Sequence, residues 1–293
     1  MIITRLAGGL GNQLFQYAAV RRLAQHKGVD FALDITEYQT RARRVYRLGL
    51  YNIHERLATP EEILRAQGQP QPGLLARVWR QRKRLVPYYR RSVVTERHPY
   101  HFDPRMLDLP AECYLLGYWQ NEGYFAPIAD ALRAEFVLKA PLSVPSAALT
   151  REIEATEAVG VHVRRGDYAH NPGILKRHGL CSPEYYQTCA RQILRQQPRA
   201  VFYVFSDDLQ WAAENLDLGG PRVLVDHNGP ERDYEDMLIM SRCRYFIIAN
   251  SSFSWWAAWL SNRPDKQVFA PSRWLASAQD GASGIVPAGW GRV

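Results

Sequence analysis

Val159-Gly-Val-His-Val-Arg-Arg-Gly-Asp-Tyr168 decides the fold class: an apolar run of strand length ends in two arginines, a glycine and an acid. Open α/β sheets bind ligands beyond the carboxyl ends of their strands, and this turn sits there. Arginine suits a diphosphate because its planar fork donates two parallel hydrogen bonds and never loses its charge. Neighbouring residues on a strand face opposite ways. Arg164 and Arg165 therefore address one phosphate together only where the strand has ended. The other reading is a structural ion pair between one of them and Asp167. The embedded Arg-Gly-Asp is no sign of cell adhesion, because the tripeptide is common and here adjoins a buried strand.

On either side of this strand, short apolar strands alternate with helical patterns, the signature of a parallel α/β sheet. Towards the carboxyl terminus the strands read Val201–Phe205, Val223–Val225, Tyr245–Ala249 and Val268–Ala270. Helices start there at Ser182-Pro183-Glu184 and near Asp208, Asp233 and Ser252. Towards the amino terminus the strands read Ile2–Leu6, Val29–Leu33 and Cys113–Gly117. A long helix from about Asn12 to His26 lines up Leu14, Phe15, Ala18, Ala19 and Leu23 on one face. Pro141-Leu-Ser-Val-Pro145 reads as a linker between two domains, 1–145 and 146–293. Two Rossmann-like α/β domains facing a cleft are the economical arrangement, and such clefts favour ligand sites.

Three further motifs bear on chemistry. Gly8-Gly9-Leu10-Gly11-Asn12-Gln13 follows a strand and opens a helix, so its backbone can approach a ligand and its free N–H groups attract phosphate. A dinucleotide site would also use Asp34, some twenty residues on, but Leu14 stands where its third glycine belongs. Phe205-Ser-Asp-Asp208 ends a strand and caps a helix. Two adjacent carboxylates without further acid or His ligands make a poor metal cage, so no metal is expected. Finally, Asn250-Ser251-Ser252 opens a helix after a strand and forms a second anion cradle. Trp255, Trp256 and Trp259 beyond it read as core.

The composition, 46% hydrophobic and 23% charged over 293 residues, is that of a globular enzyme and excludes a disordered chain. No signal-peptide pattern opens the chain, and the apolar runs are too short to cross a bilayer. Cys113, Cys181, Cys189 and Cys243 show no CxxC pair and read as buried thiols in a reducing cytosol. The expected location is cytoplasmic. The net charge of +8 is uneven: residues 41–100 carry fourteen Lys/Arg against four Asp/Glu. The Arg-rich stretch 77–97, densest at Arg77–Arg84, reads either as a solvated face or as a dock for an anionic membrane surface or a lipid-diphosphate carrier.

GGLGNQLFQYA at Gly8–Ala18, GYWQNEGYF at Gly117–Phe125, VGVHVRRGDY at Val159–Tyr168, FSDD at Phe205–Asp208 and IIANSSFSWWAAWL at Ile247–Leu260 together resemble glycosyltransferase family eleven, the alpha-1,2-fucosyltransferases. Their order and spacing cover nearly the whole chain. The resemblance implies a GT-B-like fold, with an acceptor-side first domain and a second domain that binds GDP-fucose. It implies metal-independent, inverting transfer of L-fucose to O2 of a terminal galactose, with no cofactor. By the same resemblance Arg164 holds the β-phosphate and offsets charge on the leaving diphosphate, an effect worth roughly 3–4 kcal/mol, with Arg165 and Asp167 beside it. His162 and Asp236 match guanine and ribose contacts. Asn250, Ser251 and Ser252 match a phosphate turn, and Gly9, Gly11, Asn12 and Gln13 the first domain's contribution. The general base is open among Asp167, Glu184 and Asp34.

Two readings from other classes compete. A nicotinamide-dependent dehydrogenase would rest on the glycine turn and Asp34, but leaves the Arg164–Asp167 and Asn250–Ser252 cradles unexplained. A non-catalytic nucleic-acid-binding protein would rest on the basic 41–100 stretch and bind RNA with steep salt dependence. Neither is preferred, and no nucleic acid is expected.

Overall fold

A computed structural model describes residues 1–40, 44–68, 86–277 and 283–293. The Arg77–Arg84 run and the side chain of Asp167 lie outside the described residues. The chain divides into two compact units, Met1–Lys139 and Ala140–Val293.

The first unit is built on a four-stranded parallel sheet in the order β2-β1-β4-β3: β1 Ile2–Arg5, β2 Phe31–Asp34, β3 Val93–Thr95 and β4 Cys113–Leu116. The helix Leu10–Lys27 joins β1 to β2 and buries far more than one apolar stripe. Gln13 and Gln16 are also inside, at 0% and 1% exposure. Buried amides are tolerated only when bonded, and both are. Gln16 accepts from the Ala7 N–H at 2.9 Å and donates to the Gly117 carbonyl at 2.9 Å. The helix ends at Gly28 (φ 63°), whose left-handed conformation closes the last turn.

The second unit holds six parallel strands: β5 Ala158–Val163, β6 Val201–Ser206, β7 Arg222–Leu224, β8 Tyr245–Ile247, β9 Gln267–Ala270 and β10 Gly291–Arg292. Their order, β7-β6-β5-β8-β9-β10, is the Rossmann order in which the first strand of the unit is central. Every residue of β5 is buried, as expected for a parallel strand covered on both faces. Val159, Val161 and Val163 pack with Tyr185, Tyr186, Cys189 and Ile193 of the helix Pro183–Gln196. Gly160 and His162 face the other way. A Cβ on Gly160 would come within 2.9 Å of Met240 Cγ, and His162 stacks on Phe253 with ring centroids 5.2 Å apart. Trp255, Trp256 and Trp259 are core residues, exposed by no more than 2%.

Two differences from the sequence reading have plain causes. Pro145 belongs to the first turn of a helix, Val144–Glu154, rather than to a linker, because proline at that position lacks only an N–H the helix would leave unbonded. Strands β3 and β10, three and two residues long, are too short to show a period.

Candidate active site

Strand register explains why the arginines sit where they do. β5 pairs with β6 so that His162 lies beside Phe205 and Val163 beside Ser206. Continued past the strand ends, the same offset brings Arg164 to Asp207 and Arg165 to Asp208. The ion pairs follow it: Arg164 Nη1 lies 2.8 Å from Asp207 Oδ2, and Arg165 Nε 3.3 Å from Asp208 Oδ2. Asp207 also accepts the Arg165 backbone N–H at 2.8 Å. The carboxylates that orient the arginines thus come from the FSDD corner.

The two arginines diverge. Arg165 lies over the Trp211 ring, 3.9 Å from its centroid, and is committed to the β6 side. Arg164, with its side chain 22% exposed, lies 5.3 Å from the Tyr168 ring, which stacks on His178 at 4.7 Å. Gly166 leaves room for this arrangement, since a Cβ there would stand 3.0 Å from Asp207 Cγ. Asp208 caps the helix Leu209–Asn215 by accepting the Trp211 N–H at 3.1 Å, as its place in the sequence suggested.

On its other side β5 pairs with β8, Val161 beside Ile247. The arginine turn and the Asn250-Ser251-Ser252 turn thus follow neighbouring strands, at the point where strand order reverses. There Ser251 caps the helix Ser252–Leu260, its hydroxyl accepting the Phe253 N–H at 3.3 Å. The Asn250 side chain, 3% exposed, donates to the carbonyls of His178 (2.9 Å) and Trp274 (3.3 Å). It ties two loops to the turn, and what it leaves for a ligand is backbone.

His162 is 6% exposed, and its Nδ1 is buried without a hydrogen-bond partner. Burial lowers its pKa to about 4, so the ring is neutral at neutral pH. Asp236 lies in the first turn of the helix Asp233–Met240. Burial first, then the nearby acids Asp233 and Glu235, raise its pKa to about 7, against a hydrogen bond from Asn228. A carboxyl shifted this far marks a functional candidate.

In the first unit the glycine turn is shaped by its neighbours. Gly8 has φ 84°, and a Cβ on it would meet Asn12 Cγ at 3.2 Å. Gly9 caps the helix, Gly11 is buried, and Asn12 Oδ1 accepts from Gln120 Nε2 at 2.7 Å. Gln13, expected at the donor, is instead wholly buried. Its amide donates to the carbonyls of Gly8 (3.2 Å) and Val45 (2.9 Å) and accepts the Arg47 N–H at 2.9 Å. It is a brace between loops. Asp34 is likewise internal, 2% exposed, bonded to the Tyr114 hydroxyl and the Thr36 N–H. It can serve neither a nicotinamide ribose nor an acceptor hydroxyl.

A model of glycosyl transferase family 11 matches residues 96–289. The chain belongs to that family.

Among the relatives of this family 11 chain, an alpha-1,2-colitosyltransferase of Escherichia coli is 31% identical, covering 100% of this chain and 99% of that one. The O-antigen biosynthesis glycosyltransferase WbnK of Escherichia coli is 33% identical over 92% and 94%. A galactoside alpha-(1,2)-fucosyltransferase 2 of Bos taurus is 26% identical over 87% and 67%. Among solved structures, NodZ alpha-1,6-fucosyltransferase soaked with GDP-fucose superposes with a TM-score of 0.52 at 17% identity, over 88% of this chain and 91% of that one. That last likeness is one of fold. The family 11 chain is a glycosyltransferase with a GT-B-like fold, as the motifs led us to expect.

Sequence reasoning passed over Glu96, which follows β3. Its carboxylate accepts the N–H groups of Tyr118 (2.8 Å) and Trp119 (3.1 Å), and burial raises its pKa. It holds Trp119 at φ 55°, a conformation that costs a non-glycine residue about 1–3 kcal/mol. Tyr118 beside it is 44% exposed. No signal in Thr95-Glu96-Arg97 alone gives this away, because the partners lie over twenty residues downstream. Among the described residues no group of three or more His, Cys, Asp or Glu side chains is placed to hold a metal, and Asp207 and Asp208 are both engaged by arginines. No described helix is long and apolar enough to cross a membrane.

Proposed function

We propose that this glycosyltransferase moves L-fucose from GDP-β-L-fucose to O2 of a terminal galactose, with inversion at the fucose C1. The observation that carries the proposal is the placing of Arg164, held by Asp207, after the central strand of a Rossmann-ordered sheet, with the Ser251-capped helix start after the neighbouring strand. Such a rim offers an anion one guanidinium and the positive end of a helix. The names of its relatives, a galactoside alpha-(1,2)-fucosyltransferase and an alpha-1,2-colitosyltransferase, support the linkage.

In the reaction the acceptor O2 forms a bond to C1 while the C1–O bond to the diphosphate breaks, and that electron pair leaves on the diphosphate. Arg164 stabilises the growing charge, and Ser251 and Ser252 hold the same diphosphate from the helix start. Asp207 keeps the Arg164 fork oriented, and Arg165, pinned by Asp208 and Trp211, shapes the turn. Asp236 and His162 receive the guanosine. The acceptor proton needs a base. Glu184 stands exposed at a helix start, its carboxyl held low by hydrogen bonding to Ser182, and Asp34 is buried. Asp167, in the short helix Gly166–His170 directly after the arginines, is the acid we assign to that proton.

A second donor has its own support, the colitosyltransferase likeness over the full chain. Colitose is fucose without its 3-hydroxyl. A site that hydrogen-bonds that hydroxyl discriminates by roughly 10⁴-fold or more against the sugar lacking it. GDP release is therefore to be measured with GDP-fucose and GDP-colitose, against lactose and other β-galactosides. Galactoside-dependent release with GDP-fucose in large excess over GDP-colitose is expected; the reverse preference would transfer the assignment to colitose.

The Arg-rich 77–97 stretch we assign to docking on an anionic membrane face or a lipid-diphosphate carrier. Its support is charge density alone. The protein should float with vesicles containing anionic lipid at low salt and be released as salt rises. Failure to float would remove the idea.

A further inference from the structure

A polar network links Asp236 to the start of the second unit. Asn228 Nδ2 donates to Asp236 Oδ1 at 2.8 Å and lies 3.0 Å from Ser146 Oγ. Ser146 Oγ in turn lies 3.0 Å from His227 Nε2. Ser146 is wholly buried in the first turn of the helix Val144–Glu154. One residue before that helix, Ser143 donates through its hydroxyl (2.6 Å) and its N–H (3.2 Å) to Glu235, the neighbour of Asp236. Two consecutive acids on one helix are thus held by a second helix, Glu235 directly and Asp236 through Asn228.

We propose that Asn228 is a positioning residue for the donor base, fixing the Asp236 carboxylate as an acceptor for the guanine edge. The inference rests on the assignment of Asp236 to the guanosine made above, and takes the base as its partner because a carboxylate suits the guanine edge. Guanine presents a ring N–H and an exocyclic amine side by side, and only an ionised carboxyl accepts from both. Asp236 is poorly placed to ionise. Burial raises its pKa to about 7, and Asp233 and Glu235 on its own helix push the same way. The hydrogen bond from Asn228 opposes them.

The other charged groups around it are few. Glu231 and Arg232 precede its helix, and Arg232 lies 3.9 Å from Glu235. Asp226 and His227 stand in the loop just before Asn228, both exposed. The packed helix Ser252–Leu260 has no charged residue, and the facing helix carries Arg151, Glu152 and Glu154 in its last turn, at the far end from Ser146. Strand β6 contributes none. Asn228 is therefore the group whose removal should most change how readily Asp236 ionises.

The sign follows from the raised pKa. GDP needs the carboxylate, so its affinity should be full above pH 8 and fall about tenfold per pH unit below 7. Removing the Asn228 bond raises the midpoint further. Calorimetric titration of GDP from pH 5.5 to 9, on wild type, Asn228→Ala, Asn228→Ser and Asp236→Asn, tests this directly. The expected result is a midpoint near 7 for wild type and about one unit higher for both Asn228 variants, so that near pH 6.5 they bind about tenfold more weakly and near pH 9 about equally. Asp236→Asn should bind weakly at every pH. If the Asn228 variants keep the wild-type midpoint, or lose affinity equally at all pH values, Asn228 is a structural residue and the inference is overturned. If wild-type binding does not vary with pH, Asp236 leaves the guanine site and the inference goes with it, while tight GDP binding would still support the donor reading. Absence of GDP binding altogether would overturn that reading itself.

Discussion

Arg164→Ala should lower kcat for fucosyl transfer by at least about a hundredfold while the protein stays folded. One preorganised donor aimed at developing charge is worth roughly 3–4 kcal/mol in the transition state, and Arg164 is the arginine of the pair that is not packed on a tryptophan. The fold should survive because Asp207 keeps the Arg165 N–H and stands 27% exposed to water. The cost in stability is about 1 kcal/mol. Arg164→Lys should recover only part of the loss, since an ammonium is a point charge without the fork that matches both Asp207 and a phosphate. Steady-state kinetics beside a thermal melt separate the outcomes. A folded Arg164→Ala variant with wild-type turnover would remove Arg164 from the leaving-group site. Asp167→Asn belongs in the same series: its kcat should fall at all pH values, and a wild-type rate would take the acceptor proton away from Asp167.

Gly166→Ala should injure the same machinery from a distance. The new methyl would stand 3.0 Å from Asp207 Cγ and closer to its oxygen. An unanchored carboxylate would swing aside, but this one is bonded to Arg164 Nη1 and to the Arg165 N–H. Moving it loosens both. Overpacking of this kind costs about 1–3 kcal/mol, read as a melting temperature several degrees lower. Displacing an oriented catalytic group by about 1 Å costs on the order of a hundredfold in rate. GDP affinity should change much less, because the guanosine contacts assigned to Asp236 and His162 are untouched. A Gly166→Ala enzyme with normal kcat would mean that the Asp207–Arg164 pair does not set the rate.

Local signals carried much of this into the sequence. Strand, turn and cap chemistry placed Asp208, Ser182 and Ser251 at helix starts and the arginine turn at a strand's carboxyl end. Pairing across the sheet was not legible. Arg165 and Asp208 lie 43 residues apart, and only the β5–β6 register brings them together. Gln13 misled for the converse reason. A polar residue in a glycine turn suggests a ligand contact, and nothing local reveals that Val45 and Arg47 return to bury its amide. Glu96 and Asn228 share that obscurity: each acts on a segment remote from it, or through a neighbour whose own role depends on the fold. The Pro141–Pro145 stretch shows how one residue carries two meanings, since proline both breaks a chain segment and starts a helix.

The most direct measurement is the structure of the product. The protein is incubated with GDP-β-L-fucose and a β-galactoside, GDP release is followed, and the isolated oligosaccharide is examined by NMR. Galactoside-dependent release of GDP, with an α-fucosyl residue on O2 of the galactose, is the expected result. Fucose on another hydroxyl would contradict the linkage, and no transfer to any galactoside by a folded protein that binds GDP would contradict the proposed reaction.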